Sequence, residues 1–290
     1  MKKFIKSIAL FLSFAICLIC VSACGTSTDT KSDSSKSASD ASLLSGWDYI
    51  KSNKKLIVGL DDTFAPMGYR DENGKLVGFD IDIANEVGKI LDVEISFQTI
   101  DWNAKELALS SKRVDCIWNG MSVLPERIEK MALTDKYLQN KIVIALSSDK
   151  IIIKSAADLK NYNIGTQVDS AALEKMVINP EYNSFKDKIK EYPTYDEALM
   201  DLKAGRVDCI VIDDVLMAFK NKNLGEGKML PYAEFDFGDD YYAIGCRKSD
   251  TDVAAKINSA LKTLIDNGKG AEISKKWFGK NIFVLVGYDK

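Results

Sequence analysis

Apolar residues recur along this chain in two alternating patterns. Short apolar runs, such as those at 55–60 and 93–97, predict strands. Apolar residues spaced three and four positions apart over 80–91 predict a helix, and the same spacing returns over 252–267 and 271–278. Strands that alternate with helices in this way indicate an α/β fold with largely parallel sheets.

One pentapeptide, Arg-Val-Asp-Cys-Ile, occurs at 113–117 and again 93 residues later at 206–210. A helix of similar length is predicted just before each copy, which argues against coincidence and for two α/β lobes. The residues after each copy, 118–122 and 211–214, follow the carboxyl ends of predicted strands. Open α/β sheets bind ligands at that edge, so two such lobes facing one another would form a cleft.

The first residues have the layout of a secretory signal peptide. Three early lysines precede an uncharged run over 8–21, which is too short for a typical transmembrane helix. The tetrapeptide Val-Ser-Ala-Cys that ends at Cys24 resembles the bacterial lipobox, so we expect cleavage of 1–23 and lipidation of Cys24. An ordinary cleaved signal is the alternative. Residues 24–44, rich in Ser, Thr, Asp and Lys, predict a flexible tether.

The composition of the chain argues against several kinds of site. The net charge is −3, and no basic cluster points to nucleic acid. The chain has no histidine, which removes the commonest general base and zinc ligand. Outside the signal and the lipobox, Cys116, Cys209 and Cys246 have apolar neighbours and no metal-like spacing, so we expect buried hydrophobes and not a disulfide framework. We expect no metal and no cofactor.

Several motifs together resemble a known family. They are Phe-Ala-Pro-Met-Gly-Tyr-Arg-Asp-Glu-Asn-Gly at 64–74, Val-Gly-Phe-Asp-Ile-Asp at 77–82, Asn-Gly-Met-Ser-Val with Pro-Glu-Arg within 119–127, and Ile-Ser-Lys-Lys-Trp-Phe-Gly at 273–279. These resemble the signatures of polar amino-acid-binding lipoproteins of ABC importers, the bacterial extracellular solute-binding protein family 3. The resemblance covers 56–281.

The resemblance implies a two-lobed periplasmic-binding-protein fold of type II. Lobe 1 would comprise 45–139 and 240–290, and lobe 2 would comprise 142–236. Two crossover strands would form the hinge, and the ligand would be held between the lobes as they close.

The resemblance also implies which residues hold the ligand. A carboxylate favours a bidentate cation and N–H donors. Arg127 matches the carboxylate-binding arginine of the family, with Ser122 and the N–H groups around Gly120 as companion donors; a surface arginine is the alternative. Asp213 matches the ammonium-binding aspartate, and a helix N-cap is its alternative.

The loop at 169–171 departs from the family pattern. Asp169 replaces a usual Gly, and Ala171 replaces a usual Ser or Thr, so the hydroxyl contact at 171 is lost while the N–H remains. Capping of the following helix is the alternative role of Asp169.

The side-chain pocket has two interpretations. Phe64 and Trp102 match apolar walls around the ligand side chain, but both also suit the core. Asp61 matches a position that meets the cationic side chain in relatives specific for basic amino acids; a solvated loop charge is the alternative. The complete predicted ligand-binding set is Asp61, Phe64, Trp102, Asn119, Gly120, Met121, Ser122, Arg127, Asp169, Ser170, Ala171 and Asp213.

These observations predict a binding protein and not an enzyme. It would be a monomer, lipid-anchored at the extracellular face of the cytoplasmic membrane, as in Gram-positive bacteria. It would capture a polar or cationic L-amino acid, or cystine, for ABC permease subunits. One alternative is a dehydratase-like enzyme acting on a prephenate-like acid, with Asp213 or Asp169 as its acid or base. A sensor domain of a signalling protein is disfavoured because no transmembrane helix follows.

Overall fold

The computed structural model describes residues 46–225 and 227–287. The predicted signal peptide, the lipidation site Cys24 and the tether lie outside these residues. No helix within the two described stretches has the length and hydrophobicity needed to span a bilayer.

The strands are β1 (Lys55–Leu60), β2 (Thr63–Phe64), β3 (Gly68–Arg70), β4 (Leu76–Val77), β5 (Glu94–Thr99), β6 (Cys116–Ile117), β7 (Met131–Leu133), β8 (Lys136–Leu146), β9 (Ile164–Gln167), β10 (Ile189–Tyr192), β11 (Cys209–Asp213), β12 (Asp239–Tyr242), β13 (Gly245–Arg247) and β14 (Phe283–Val286). The α-helices are α1 (Gly46–Asn53), α2 (Phe79–Leu91), α3 (Lys105–Ser110), α4 (Pro125–Lys130), α5 (Ala171–Val177), α6 (Tyr182–Phe185), α7 (Tyr195–Lys203), α8 (Asp214–Leu224), α9 (Thr251–Asp266) and α10 (Lys269–Phe278). Short 3₁₀ helices span Trp102–Ala104, Ala156–Asn161 and Lys186–Lys188.

Two mixed sheets organise the molecule. The first has the order β5-β1-β6-β13-β7 and the second has the order β10-β9-β11-β8-β12. Three strands of each sheet run parallel, as predicted, but the other pairings are antiparallel. The expectation of largely parallel sheets is therefore wrong for the strands that carry the chain out of one sheet and back. We call the half built on the first sheet lobe 1 and the other half lobe 2.

Two strands connect the lobes. The chain enters the second sheet along β8 and returns along β12, and the two pair antiparallel with Asn140 opposite Asp240. The first sheet therefore contains both an early segment and the late strand β13. This connectivity agrees with the predicted crossover, while the residue boundaries of the lobes stay a prediction.

The repeated pentapeptide has the same structural task in both lobes. The carboxylate of Asp115 accepts a hydrogen bond of 2.9 Å from the backbone N–H of Ile57, at the start of β1. The carboxylate of Asp208 accepts one of 2.7 Å from the N–H of Asn163, just before β9. In each lobe, the repeated aspartate thus fixes the start of the neighbouring parallel strand.

The strand register extends the equivalence beyond the pentapeptide. In lobe 1, the cysteine of the pentapeptide pairs with the residue three places before Asp61. In lobe 2, the cysteine of the second copy pairs with the residue three places before Gln167. Asp61 and Gln167 are therefore equivalent positions. The 93-residue spacing also relates Trp102 to Tyr195 and Gly120 to Asp213.

The cysteines lie in the hydrophobic core. Cys116, Cys209 and Cys246 are free and buried, which confirms their predicted role as small hydrophobes. Burial raises the pKa of the Cys209 thiol to about 12, so it stays protonated at neutral pH.

The two copies of the pentapeptide should differ in their effect on stability. Asp115 is buried and also accepts a 2.9 Å bond from the guanidinium of Arg247, whereas Asp208 is half-buried. We expect Asp115→Ala to lower the free energy of unfolding by about 3 kcal/mol, because it leaves the part-buried N–H of Ile57 unpaired and removes one of the two carboxylates that pair with Arg247. Asp208→Ala should cost about 1 kcal/mol. Urea denaturation measures both, and equal losses would contradict the assignment.

Candidate functional site

A small, nearly closed cavity lies between the lobes. Its lining residues are Asp61, Phe64, Trp102, Asn119, Gly120, Ser122, Arg127, Gln167, Ser170, Ala171, Tyr195 and Asp213. The structure thus brings together all of the predicted binding residues except Met121 and Asp169.

Arg127 lies in the first turn of α4, a helix that begins with Pro125, a residue favoured at that position. The side chain is buried, with 2% of its surface exposed. One terminal nitrogen donates to the Ser122 carbonyl at 3.2 Å, and the other to the Asp169 carbonyl at 3.1 Å and the Glu174 carboxylate at 3.4 Å. Arg127 is therefore not a surface arginine.

Three buried polar groups at the cavity lack hydrogen-bond partners among the described residues. They are Arg127 Nε, Asn119 Nδ2 and the hydroxyl of Tyr195. All three residues line the cavity. Buried donors are nearly always paired, so this arrangement calls for a ligand or water with acceptor atoms.

Gly120 supports the cavity wall through its backbone. Its φ of 59° lies in the left-handed region, and a Cβ there would come within 2.8 Å of the Phe64 ring. Its N–H donates to the buried carboxylate of Asp80 at 2.9 Å. The N–H of Gly120 itself is therefore engaged within the protein, and the role of the N–H groups around Gly120 as ligand donors stays a prediction.

Asp213 lies at the acidic side of the cavity. One carboxylate oxygen accepts bonds of 2.7 Å from Asn140 Nδ2 and 2.7 Å from the Tyr242 hydroxyl. Burial, followed by the negative charge of Asp240, raises the pKa of Asp213 to about 7. It occupies the N-cap position of α8, but its side chain makes no capping bond. The N-cap alternative therefore does not explain this carboxylate.

A second buried carboxylate lies behind Asp213. Asn140 Nδ2 also donates to Asp240 at 3.0 Å, and the Ser122 hydroxyl donates to the same Asp240 oxygen at 2.7 Å. This network joins lobe 1, both crossover strands and lobe 2. Two buried carboxylates joined by one neutral amide would be stabilised by a cation.

Asp61 is buried, so it is not a solvated loop charge. One carboxylate oxygen accepts from the N–H of Thr63 at 3.0 Å and its hydroxyl at 2.7 Å, and the other accepts from Gln167 Nε2 at 2.9 Å. Burial raises the pKa of Asp61 above its usual range. The bond to Gln167 crosses between the lobes.

The aromatic residues lie both at the cavity and in the hydrophobic core, and their contact with a ligand stays a prediction. Phe64 and Trp102 line the cavity, and each also belongs to a hydrophobic cluster. The Phe64 ring lies 6.1 Å from the ring of Tyr195. Trp102 Nε1 donates to the Asp169 carbonyl at 3.1 Å.

The loop before α5 is organised by Ser170. Its hydroxyl accepts from the N–H of Leu173 at 3.2 Å, so Ser170 and not Asp169 caps the helix. Asp169 has a φ of 56° and lies outside the cavity lining, and its carboxylate forms an ion pair with Lys105. Met121 also lies outside the lining, because its side chain packs in a hydrophobic cluster with Met131 and Leu133.

The sequence analysis missed two lining residues, Gln167 and Tyr195. Both are equivalent, across the two lobes, to residues that it did select, Asp61 and Trp102. The 93-residue spacing alone would have identified Tyr195. Gln167 required the strand register, because the segment between the first strand and the pentapeptide differs in length between the lobes.

Metal binding has no support in the described part of the chain. No group of three or more carboxylate or cysteine side chains there is placed to hold an ion.

A model of the family described as "Bacterial extracellular solute-binding proteins, family 3" matches residues 56–280. The chain is similar to the arginine-binding extracellular protein ArtP of Bacillus subtilis, with 32% identity over 90% of this chain and 96% of that protein. It is also similar to the L-cystine-binding protein TcyA of Bacillus subtilis, with 29% identity over 96% and 99%. The structure resembles an ABC uptake transporter substrate-binding protein from Streptococcus pneumoniae with bound histidine, with a TM-score of 0.76 and 36% identity over 82% of this chain and 98% of that one.

Proposed function

Because this chain belongs to the bacterial extracellular solute-binding proteins of family 3, we propose that it captures a free L-amino acid for the permease of an ABC importer. Its two-lobed periplasmic-binding-protein fold is confirmed by the mixed sheets and by the similar solved structures. The curated relatives are amino-acid-binding proteins and not enzymes, and this chain is a binding protein as well.

The observation that carries the proposal is the opposite polarity of the two sides of the cavity. On one side the buried Arg127 has an unpaired Nε, which suits a carboxylate. On the other side Asp213 and Asp240 form an acidic pair, which suits an ammonium group. A zwitterionic α-amino acid matches both.

We favour a cationic amino acid. Asp61 contributes a second buried carboxylate to the cavity lining, and two of its neighbours there, Phe64 and Trp102, supply apolar surface for an alkyl or ring segment. The relatives named for arginine and the neighbour with bound histidine support this choice. Cystine is the second candidate, because TcyA is named for it.

The dehydratase alternative has weaker support. The related neighbour is an ancestral amino-acid-binding protein described as a precursor of cyclohexadienyl dehydratase, with 26% identity and a TM-score of 0.71.

We further propose that the protein acts as a monomer on the extracellular face of the cytoplasmic membrane, anchored through lipidated Cys24 in the Gram-positive manner. The support is the lipobox-like sequence and the tether composition of 24–44. Mass spectrometry of the mature N-terminus tests the anchor.

Titration calorimetry on protein that has been unfolded and refolded tests the binding proposal, since this treatment strips any bound metabolite. L-Arginine, L-lysine, L-histidine, L-cystine and neutral amino acids are compared. We expect at least one to bind with a Kd in the micromolar range or below, about −8 kcal/mol or stronger. Absence of binding to every amino acid would refute the proposal.

The variant Asp61→Asn should separate the two ligand classes. Loss of a buried charge facing a cationic side chain should weaken L-arginine binding about 30-fold or more, whereas L-cystine binding should change less than threefold. The matched control is Asp62→Asn, because Asp62 pairs with the exposed Arg70. An equal effect of Asp61→Asn on both ligands would show that Asp61 has a structural role and does not select the ligand.

A further inference from the structure

An ion pair joins the two lobes beside the ligand cavity. The Lys105 ammonium in lobe 1 contacts the Asp169 carboxylate in lobe 2. The Lys105 side chain is 1% exposed, and the Asp169 side chain is 38% exposed. Neither residue lines the cavity.

The backbone of Asp169 forms a second set of contacts with lobe 1. Its carbonyl accepts from Trp102 Nε1 and Arg127 Nη2, each at 3.1 Å, and lies 3.4 Å from Lys105 Nζ. Lys105 and Arg127 also lie 5.1 Å and 5.9 Å from the Trp102 ring centroid. One residue of lobe 2 thus meets three donors of lobe 1 through both its carbonyl and its carboxylate.

We propose that Lys105 and Asp169 form an interlobe latch that slows the release of the bound amino acid. This inference rests on the proposed function and adds two affinity-determining residues that lie outside the cavity lining.

The physical basis is the burial of Lys105. When the lobes close, the ammonium loses water, and the like charge of Arg127 lies nearby in the same lobe. Both effects lower the pKa of Lys105, and the Asp169 carboxylate opposes them. Without that carboxylate, closing would bury a cation with only carbonyl partners, while in the open state water would solvate it. Removing the carboxylate therefore favours opening, and with it ligand release.

The variant Asp169→Gly isolates the carboxylate. Glycine adopts a φ of 56° without strain and keeps the carbonyl that Trp102 and Arg127 contact. The probe is L-arginine, or L-cystine if the wild-type protein binds only that. We expect Asp169→Gly to accelerate dissociation at least tenfold in stopped-flow tryptophan fluorescence, with little change in association rate.

A second variant distinguishes a latch from general loosening. In Lys105→Met/Asp169→Gly no buried cation is left unpaired, so dissociation should be at least threefold slower than in Asp169→Gly alone. Lys130→Met is the matched control, because Lys130 pairs with Glu106 and Glu126 within lobe 1. It should change dissociation less than twofold.

The outcomes separate the two proposals. Unchanged dissociation in Asp169→Gly overturns the latch and leaves the proposed function intact. Faster dissociation that the double variant does not slow, or that Lys130→Met reproduces, also overturns the latch. A wild-type protein that binds neither probe nor any other amino acid overturns the proposed function and the latch with it.

Discussion

Replacing Arg127 by alanine should weaken amino-acid binding by about a thousandfold while the protein stays folded. The substitution removes the buried cation expected to pair with the ligand carboxylate, and it leaves that carboxylate desolvated and unpaired, a loss in the upper half of the 2–5 kcal/mol range. It also removes the bond from Arg127 to the Asp169 carbonyl. Calorimetry at neutral pH measures the affinity, and circular dichroism checks the fold.

Arg206→Ala is the matched control. Arg206 pairs with Asp201 inside lobe 2, and 60% of its side chain is exposed. We expect its affinity to stay within twofold of the wild type, because exposed ion pairs contribute little. Binding by Arg127→Ala that matches this control would remove the carboxylate assignment.

Binding should also weaken in acid, by about 100-fold between pH 8 and pH 5. The pKa of Asp213 in the free protein is about 7, raised by burial first and by Asp240 second. An ammonium group pairs with the ionised carboxylate, so below pH 7 binding must first release a proton. Each pH unit below 7 then costs about a factor of ten. Calorimetry at pH 6 in buffers of different ionisation enthalpy should detect the released proton.

Two variants assign this pH dependence. The groups that face Asp213 are Asn140, Tyr242, Asp240, Tyr195 and Arg127. Asp213→Asn should bind weakly at every pH. Asp240→Asn should keep the pH dependence but move its midpoint to lower pH, because the neighbouring negative charge is gone. A midpoint that stays in place in Asp240→Asn would contradict the proposed coupling.

Local patterns predicted most secondary-structure elements well. The dipeptide Asn-Gly at 73–74 is typical of a hairpin turn and joins β3 to β4, with a hydrogen bond of 2.8 Å from the N–H of Gly74 to the Asp71 carbonyl. The helical spacing over 80–91 corresponds to α2. The residues that determine these features lie within a few positions of one another, so a local sequence pattern is enough to predict them.

Features that depend on distant partners were harder to predict. The apolar pattern at 141–147 predicts a short strand, but β8 is longer, because its first half pairs with β12 and β14. The pattern at 241–247 predicts one strand, but this segment divides into β12 and β13, which join different sheets. No local pattern indicates that a strand changes its partners midway.

The candidate site shows the same division. The motifs predicted ten of the lining residues. Which group each polar atom contacts depends on burial and on residues far away in the sequence. The N–H of Gly120 is occupied by Asp80, and Asp169 contacts Lys105, 64 residues away. Neither contact follows from spacing.

The equivalence of the two lobes also shows how the two sides of the cleft can carry different residues. A cleft between two identical subunits related by a two-fold axis must present the same residue on both sides. Here both halves belong to one polypeptide, so equivalent positions can hold different residues. Asp61 faces Gln167, and Gly120 corresponds to Asp213, the proposed partner of the ligand ammonium group. Because the two halves form one chain, the site need not have the two-fold symmetry of a homodimer. It can therefore match a ligand whose two ends carry opposite charge.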